Sequence, residues 1–316
     1  MKTLVLSMIS IAATIAAIAA MTACTSEGDP IDNIDNGQPV EIQLNAGVVT
    51  TKAAITSNAD GKLSADLANV HFYRIDGADP NWGTATPSSF KGTILAADKK
   101  ISITEKQYYP ANGDKTTIAG LFVGETANTT PSITNGVINV NITGSEDILC
   151  ATPVDLGNRK TPTATPLGFN HLLTQFKFIV KIDKESITEA ISNISINVKN
   201  ANTSANVTLS DGSIGTWSTP NTITGPTGLE ATADGQPSTA SNGIMLEPNL
   251  PSITLVIKGN GLPEEGLEAT IQGSDTNKFE QGKAYDITLT FKAREVTGTA
   301  TVAEWETGTA TGGDVI

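Results

Sequence analysis

Histidine, cysteine, aromatic side chains and positive charge are all scarce in this 316-residue chain, and each scarcity removes a class of function. Two cysteines, Cys24 and Cys150, cannot build a disulfide framework or a multi-thiolate zinc site. Cys150 lies among Ile148, Leu149 and Ala151 and reads as a small buried hydrophobe. The two histidines, His71 and His171, stand in or beside strand-like runs with no cysteine, histidine or carboxylate at metal-ligand spacing. Both are expected to be structural. Lysine and arginine total 20 against 33 aspartates and glutamates, a formal net charge of −13. Nucleic acid and anionic lipid both require a basic footprint, so neither is an expected partner.

Catalytic motifs are missing too. Asp32-Asn33-Ile34-Asp35-Asn36-Gly37 looks like a calcium loop, but Ile34 holds a ligand position and Gln43 stands where the bidentate glutamate belongs. Gly259-Asn260-Gly261 has no third glycine at dinucleotide spacing, and Pro263 falls where a helix would have to open. No G-x-S-x-G elbow seats a serine nucleophile. The expectation is a protein that is not an enzyme and holds no cofactor or metal.

What is present begins with a leader. Lys2 precedes the apolar run Leu4 to Ala20, and Met21-Thr22-Ala23-Cys24 closes it as a lipobox would. Residues 1–23 are expected to be a signal peptide cut between Ala23 and Cys24, with Cys24 carrying lipid. The Ala-rich run sits at the short limit for a spanning helix, which argues against a retained anchor. Residues 24–38, including Thr25-Ser26-Glu27-Gly28-Asp29, are too polar to pack and read as an acidic tether.

The remainder is rich in Thr, Asn, Gly and Ile and alternates with period two, the composition of β-sheet. Val40, Ile42, Leu44 and Ala46 alternate with polar or small neighbours. The pattern returns at Ile101 and Ile103, at Ile138, Val140 and Ile142, and at Phe176, Phe178, Val180 and Ile182. Ile194, Ile196 and Val198 repeat it, as do Tyr285, Ile287, Leu289 and Phe291. Each run should form a strand with one face on a core. Asn112-Gly113, Asn135-Gly136, Asp211-Gly212 and Gly259-Asn260-Gly261 supply tight turns. One short helix is expected at 186–191, where Ser186 and Glu189 have capping-box spacing. The proline-rich stretch 161–166 suggests a boundary between a domain over 39–165 and another over 166–316. Residues 220–241 read as a surface loop. Trp82 and Trp217, beside glycine and threonine, are either core aromatics or platforms for a sugar face.

These elements, in this order, resemble the fimbrillin-like lipoproteins, subunits of the type V pili of anaerobic Gram-negative bacteria. The matching features are Cys24, the strand Val40–Val49, and the basic residue in Thr50-Thr51-Lys52-Ala53-Ala54. Leu167-Gly168-Phe169-Asn170-His171-Leu172-Leu173 leads into Phe176–Ile182, and Phe279-Glu280-Gln281-Gly282-Lys283-Ala284-Tyr285 leads into Ile287–Phe291. Ala300-Thr301-Val302-Ala303-Glu304-Trp305 fits a closing strand and tryptophan. The resemblance implies an all-β fold of two tandem transthyretin-like β-sandwich domains. It also implies an outer-membrane lipoprotein precursor, cut by a maturation protease between Lys52 and Ala53, where the family more often has arginine. Loss of the first strand would open a groove for a neighbouring subunit's strand. The donor candidate is the tail, with Thr309, Thr311, Val315 and Ile316 as its larger side chains. Partners are then further copies of the chain or related fimbrial subunits, with a surface glycan or protein as adhesion target. The competing expectation is a glycan-binding surface lipoprotein using Trp82 or Trp217.

Overall fold

Period-two alternation becomes strand pairing along most of the chain. The computed structural model describes residues 38–47, 65–124, 131–273, 278–292 and 295–303. The signal peptide, the acidic tether, Cys24, Lys52, Ala53, Trp305 and the tail 309–316 lie outside the described residues. From Pro39 onward the chain forms one unit.

The first sheet contains β1 (Leu44–Asn45), β2 (Leu67–Asp76), β3 (Ser88–Ile94), β4 (Lys100–Ile103) and β5 (Thr116–Val123). A hairpin of β6 (Ile133–Thr134) and β7 (Val137–Asn141) leaves it before β8 (Ile148–Asp155) and β9 (Phe169–His171) rejoin. Its order is β1-β4-β3-β2-β5-β8-β9. A parallel bridge from Ala46 to Leu167 ties its two edges together, so the sheet closes on itself. Phe72, Ile94, Ile118, Phe122, Leu149 and Phe169 fill the interior. The proline-rich stretch lies inside this region: Gly157 bridges Pro162, and β8 pairs with β9 across it.

The rest of the chain supplies β10 (Thr174–Ile182), β11 (Ile191–Thr208), β12 (Ser213–Thr224), β13 (Leu229–Ala231), β14 (Ile244–Leu246), β15 (Ser252–Asn260), β16 (Leu267–Gln272), β17 (Ala284–Lys292) and β18 (Glu295–Ala303). They form a four-stranded sheet, β14-β10-β17-β18, and a seven-stranded sheet built on β16-β15-β11-β7-β6 with β12 and β13 on β11. Phe176, Phe178, Val180, Ile287, Leu289 and Phe291 from the first share one core with Ile194, Ile196, Val198, Leu255 and Ile257 from the second. This is a sandwich-like packing of two sheets, each with its apolar face inward. Pairing β10 with β17 in parallel, Phe176 opposite Tyr285, needs the long excursion between them that β11 to β16 provide. β7 pairs with β11 through Ile138 opposite Val207, so the β6–β7 hairpin adds to the second sheet. Its turn has Asn135 at φ 51° and Gly136 at φ 74°, the left-handed pair that Asn-Gly accommodates.

Two motifs far apart in sequence dock on one another. The Gly282 N–H donates to the Leu173 carbonyl at 2.9 Å, and Thr174 Oγ1 donates to the Glu280 carbonyl at 2.8 Å. Phe279 packs edge-on against Phe176 and Tyr285, with ring centres 4.8 and 5.0 Å away, in the range where aromatic pairs attract.

Among the described residues there is no helix, which corrects the expected short helix at 186–191. Asp183 takes the donors a helix would need: the N–H groups of Ser186 and Ile187 donate to its carbonyl, and that of Glu185 donates to its carboxylate. The residues that follow have no apolar face to bury, and Ile191 already belongs to β11. The expected loop 220–241 is corrected in part. Residues 220–224 finish β12 and 229–231 form β13. Ser238 and Ser241 then cap the edge of β10, each donating its N–H to a β10 carbonyl and accepting a β10 N–H on its hydroxyl.

Candidate functional site

The segment 40–47 is held as a separable piece of the first sheet. Its alternation turns Ile42 (1 % exposed), Leu44 (4 %) and Ala46 (6 %) into the closed interior. On one side the N–H of Ile42 donates to the Gln107 carbonyl at 2.8 Å, that of Tyr109 to Val40 at 2.9 Å, and that of Ala46 to Lys99 at 2.8 Å. Leu44 sits opposite Ile101 in β4. On the other side Gly47 donates to the Leu167 carbonyl at 2.6 Å, and Leu167 donates back to Asn45 at 2.9 Å. A Cβ at Gly47 would lie 3.2 Å from the Gly168 Cα, so two glycines let the backbones approach at this seam. Glu41, on the outward face, pairs with Lys106 at 2.8 Å. Without this segment the sheet would have unpaired groups on two flanks and three empty side-chain sites between them. That combination is a template for another extended strand.

Other sheet edges differ in how well they are defended. β12 pairs only with β11 among the described residues, yet its free edge is broken by Thr216 and Thr219 at positive φ and by Pro220. Such irregularities discourage edge-to-edge pairing. β18 closes the four-stranded sheet in continuous antiparallel register with β17, from Lys292–Glu295 to Ala284–Ala303. Val302 near its end is 43 % exposed.

The residues singled out for chemistry fall in separate places. His71 is fully buried in β2. His171 is buried in β9, where its Nδ1 lies 2.8 Å from Asp147 Oδ1. This partner, 24 positions away, was invisible to a search by local spacing. Cys150 is buried in β8, and burial pushes its thiol up to about 12, with Asp211 adding to the effect. Its thiolate fraction at neutral pH is negligible, as expected for a packing residue. No group of three or more metal-ligating side chains occurs among the described residues. Trp82 is 6 % exposed and belongs to the large core, so it presents no ring face to a sugar, which corrects that expectation. Trp217 is half-buried on β12 and packs against the same core.

The fimbrillin-like family matches residues 27–305 of the chain. No protein of curated function matches the sequence. Among solved structures, a candidate cell-adhesion protein from Bacteroides uniformis is 17 % identical with a TM-score of 0.59, covering 85 % of this chain and 99 % of its own. A fimbrial protein from Bacteroides vulgatus is 16 % identical with a TM-score of 0.53, covering 85 % and 100 %. A candidate cell-adhesion protein from Parabacteroides distasonis is 10 % identical with a TM-score of 0.51, covering 85 % and 97 %. At these identities the likeness is one of fold.

Proposed function

Since this chain belongs to the fimbrillin-like family, we propose that it is a structural subunit of a cell-surface fimbria, made as a lipoprotein precursor and polymerised by strand exchange. Lipid on Cys24 holds the precursor at the outer membrane. A protease cuts between Lys52 and Ala53, and the segment ahead of the cut then leaves the first sheet. A strand from a neighbouring subunit takes its place, and the assembled fimbria supports adhesion.

One observation carries this reading: the segment 40–47 closes the first sheet with only Ile42, Leu44 and Ala46 buried, and Lys52 follows within a few residues. Cutting such a connection leaves a strand held by noncovalent contacts alone, which a competitor of matching alternation can displace. The tail is the proposed donor. Its faces are Thr309, Thr311, Gly313 and Val315 against Ala310, Gly312, Asp314 and Ile316, and glycine permits a close seat on the acceptor sheet. Among subunit roles, a stalk subunit, which accepts and donates, is preferred over a tip subunit.

The test is a denaturing gel of surface-sheared material. A ladder should appear without boiling and collapse on boiling to one species that begins at Ala53. Cys24→Ala should abolish fatty-acid labelling, and deletion of 309–316 should leave a cleavable monomer unable to extend a polymer. Surface polymer that retains residues 24–52 refutes the reading.

A further inference from the structure

We propose that a cleft on the second sandwich, remote in sequence from the strand-exchange groove, is a binding site for a neutral oligosaccharide. Its walls are the segments 142–145, 221–229 and 241–244, and it encloses about 970 Å³. That is the size of small-molecule clefts, which span ~300–1,000 Å³.

The lining has no aspartate, glutamate, lysine, arginine or histidine, in a chain whose net charge is −13. Without a cation the cleft lacks the strongest anchor for a phosphate, sulfate or carboxylate, and the surrounding negative field disfavours them. What it offers instead is hydroxyl and amide groups, from Thr222, Thr224, Thr227 and Asn242 among others. Pro226 and Leu229, both half-buried, add short apolar patches. Hydrogen-bonding groups interleaved with small C–H surfaces suit a sugar, whose ring alternates hydroxyls with apolar faces.

The walls are fixed before any ligand arrives. Thr143 donates both its N–H, at 2.6 Å, and its hydroxyl, at 2.7 Å, to the Glu146 carboxylate. Burial alone would raise the pKa of that carboxyl, yet the bonds from Thr143 hold it below the ordinary glutamate range. The Met245 N–H donates to the Gly144 carbonyl at 2.8 Å. Gly225 and Ile196 are tied by bonds of 2.9 Å from Gly225 to Ile196 and 3.0 Å from Ile196 to Pro226. Ser241 is bonded twice to Phe178. These bonds hold the wall backbone in place. The side chains of Thr224, Thr227 and Asn242 take no part in them and are exposed.

The test uses the uncut monomer, so it does not depend on whether the chain polymerises. An array of neutral hexose and N-acetylhexosamine oligosaccharides is probed beside sialylated and sulfated counterparts, and calorimetry follows with the neutral oligosaccharide bound best. Neutral glycans should bind and anionic ones should not. Asn242→Ala should weaken binding about tenfold, the effect of one lost hydrogen bond. Thr227→Trp, which fills the cleft from an exposed position, should abolish it, both at an unchanged melting temperature. Absence of any neutral glycan bound by the wild-type protein overturns the proposal. So does equal binding of anionic glycans, or binding that survives both substitutions.

Discussion

Leu44→Ala should make the strand leave its sheet faster after cleavage. Leu44 is 4 % exposed and stands in the interior formed with Phe72, Ile94, Ile101 and Phe122. Truncating a buried leucine removes its transfer free energy and leaves a cavity, a loss of ~2–5 kcal/mol. A site on a terminal segment can relax around the gap, so the low end applies, about 2–3 kcal/mol. Because the cut strand is held noncovalently, that loss appears directly in its binding and accelerates its release about 30- to 150-fold. The measurement places a specific protease site within 48–52, cuts it, and adds excess fluorescent peptide spanning residues 38–52. Anisotropy then reports exchange. Glu41→Gln is the control, since its carboxylate faces outward to Lys106 and its release rate should barely change. Equal release from Leu44→Ala and the wild-type chain would refute the claim that buried side chains, rather than backbone pairing, keep the strand in place.

Three further outcomes follow from particular contacts. Asp286, buried on β17 with an unmatched Oδ1, has its pKa raised by burial and only partly offset by Lys177. A raised carboxyl pKa in the folded state means stability falls as pH rises from the unfolded value through the folded one. Asp286→Asn should therefore raise the melting temperature at pH 7, with the gain vanishing toward pH 3. An equal gain at both values contradicts this. Gly120→Ala puts a methyl group 2.6 Å from the Phe169 ring in the closed sheet and should destabilise by ~1–3 kcal/mol in urea titrations. Cys150 should resist a thiol reagent at pH 8 in the native protein and react promptly in denaturant, and equal rates would show that its side chain is accessible.

Much of this was legible from local pattern. Alternation placed Ile42, Leu44 and Ala46, and likewise Phe176 through Ile182, on buried faces, because in a strand the side-chain period of two is a property of the backbone itself. Asn135-Gly136 announced its hairpin because few residue pairs tolerate two successive positive φ angles. Charge and the absence of clustered ligands excluded nucleic acid and catalysis as expectations before any fold was known. Which strand pairs with which is another matter, since alternation specifies a face and is silent about the neighbour. Only the tertiary structure decided that β7 lies beside β11, that β10 runs parallel to β17, and that Ala46 meets Leu167 to close the first sheet. The same holds for Asp147 beside His171 and for the uncharged cleft walled by three distant segments. Ser186 shows the limit from the other side. Its capping-box spacing is a real local preference, worth about 1 kcal/mol, and it yields to Asp183 and to the burial of Ile191 in β11, where the surrounding core outweighs it.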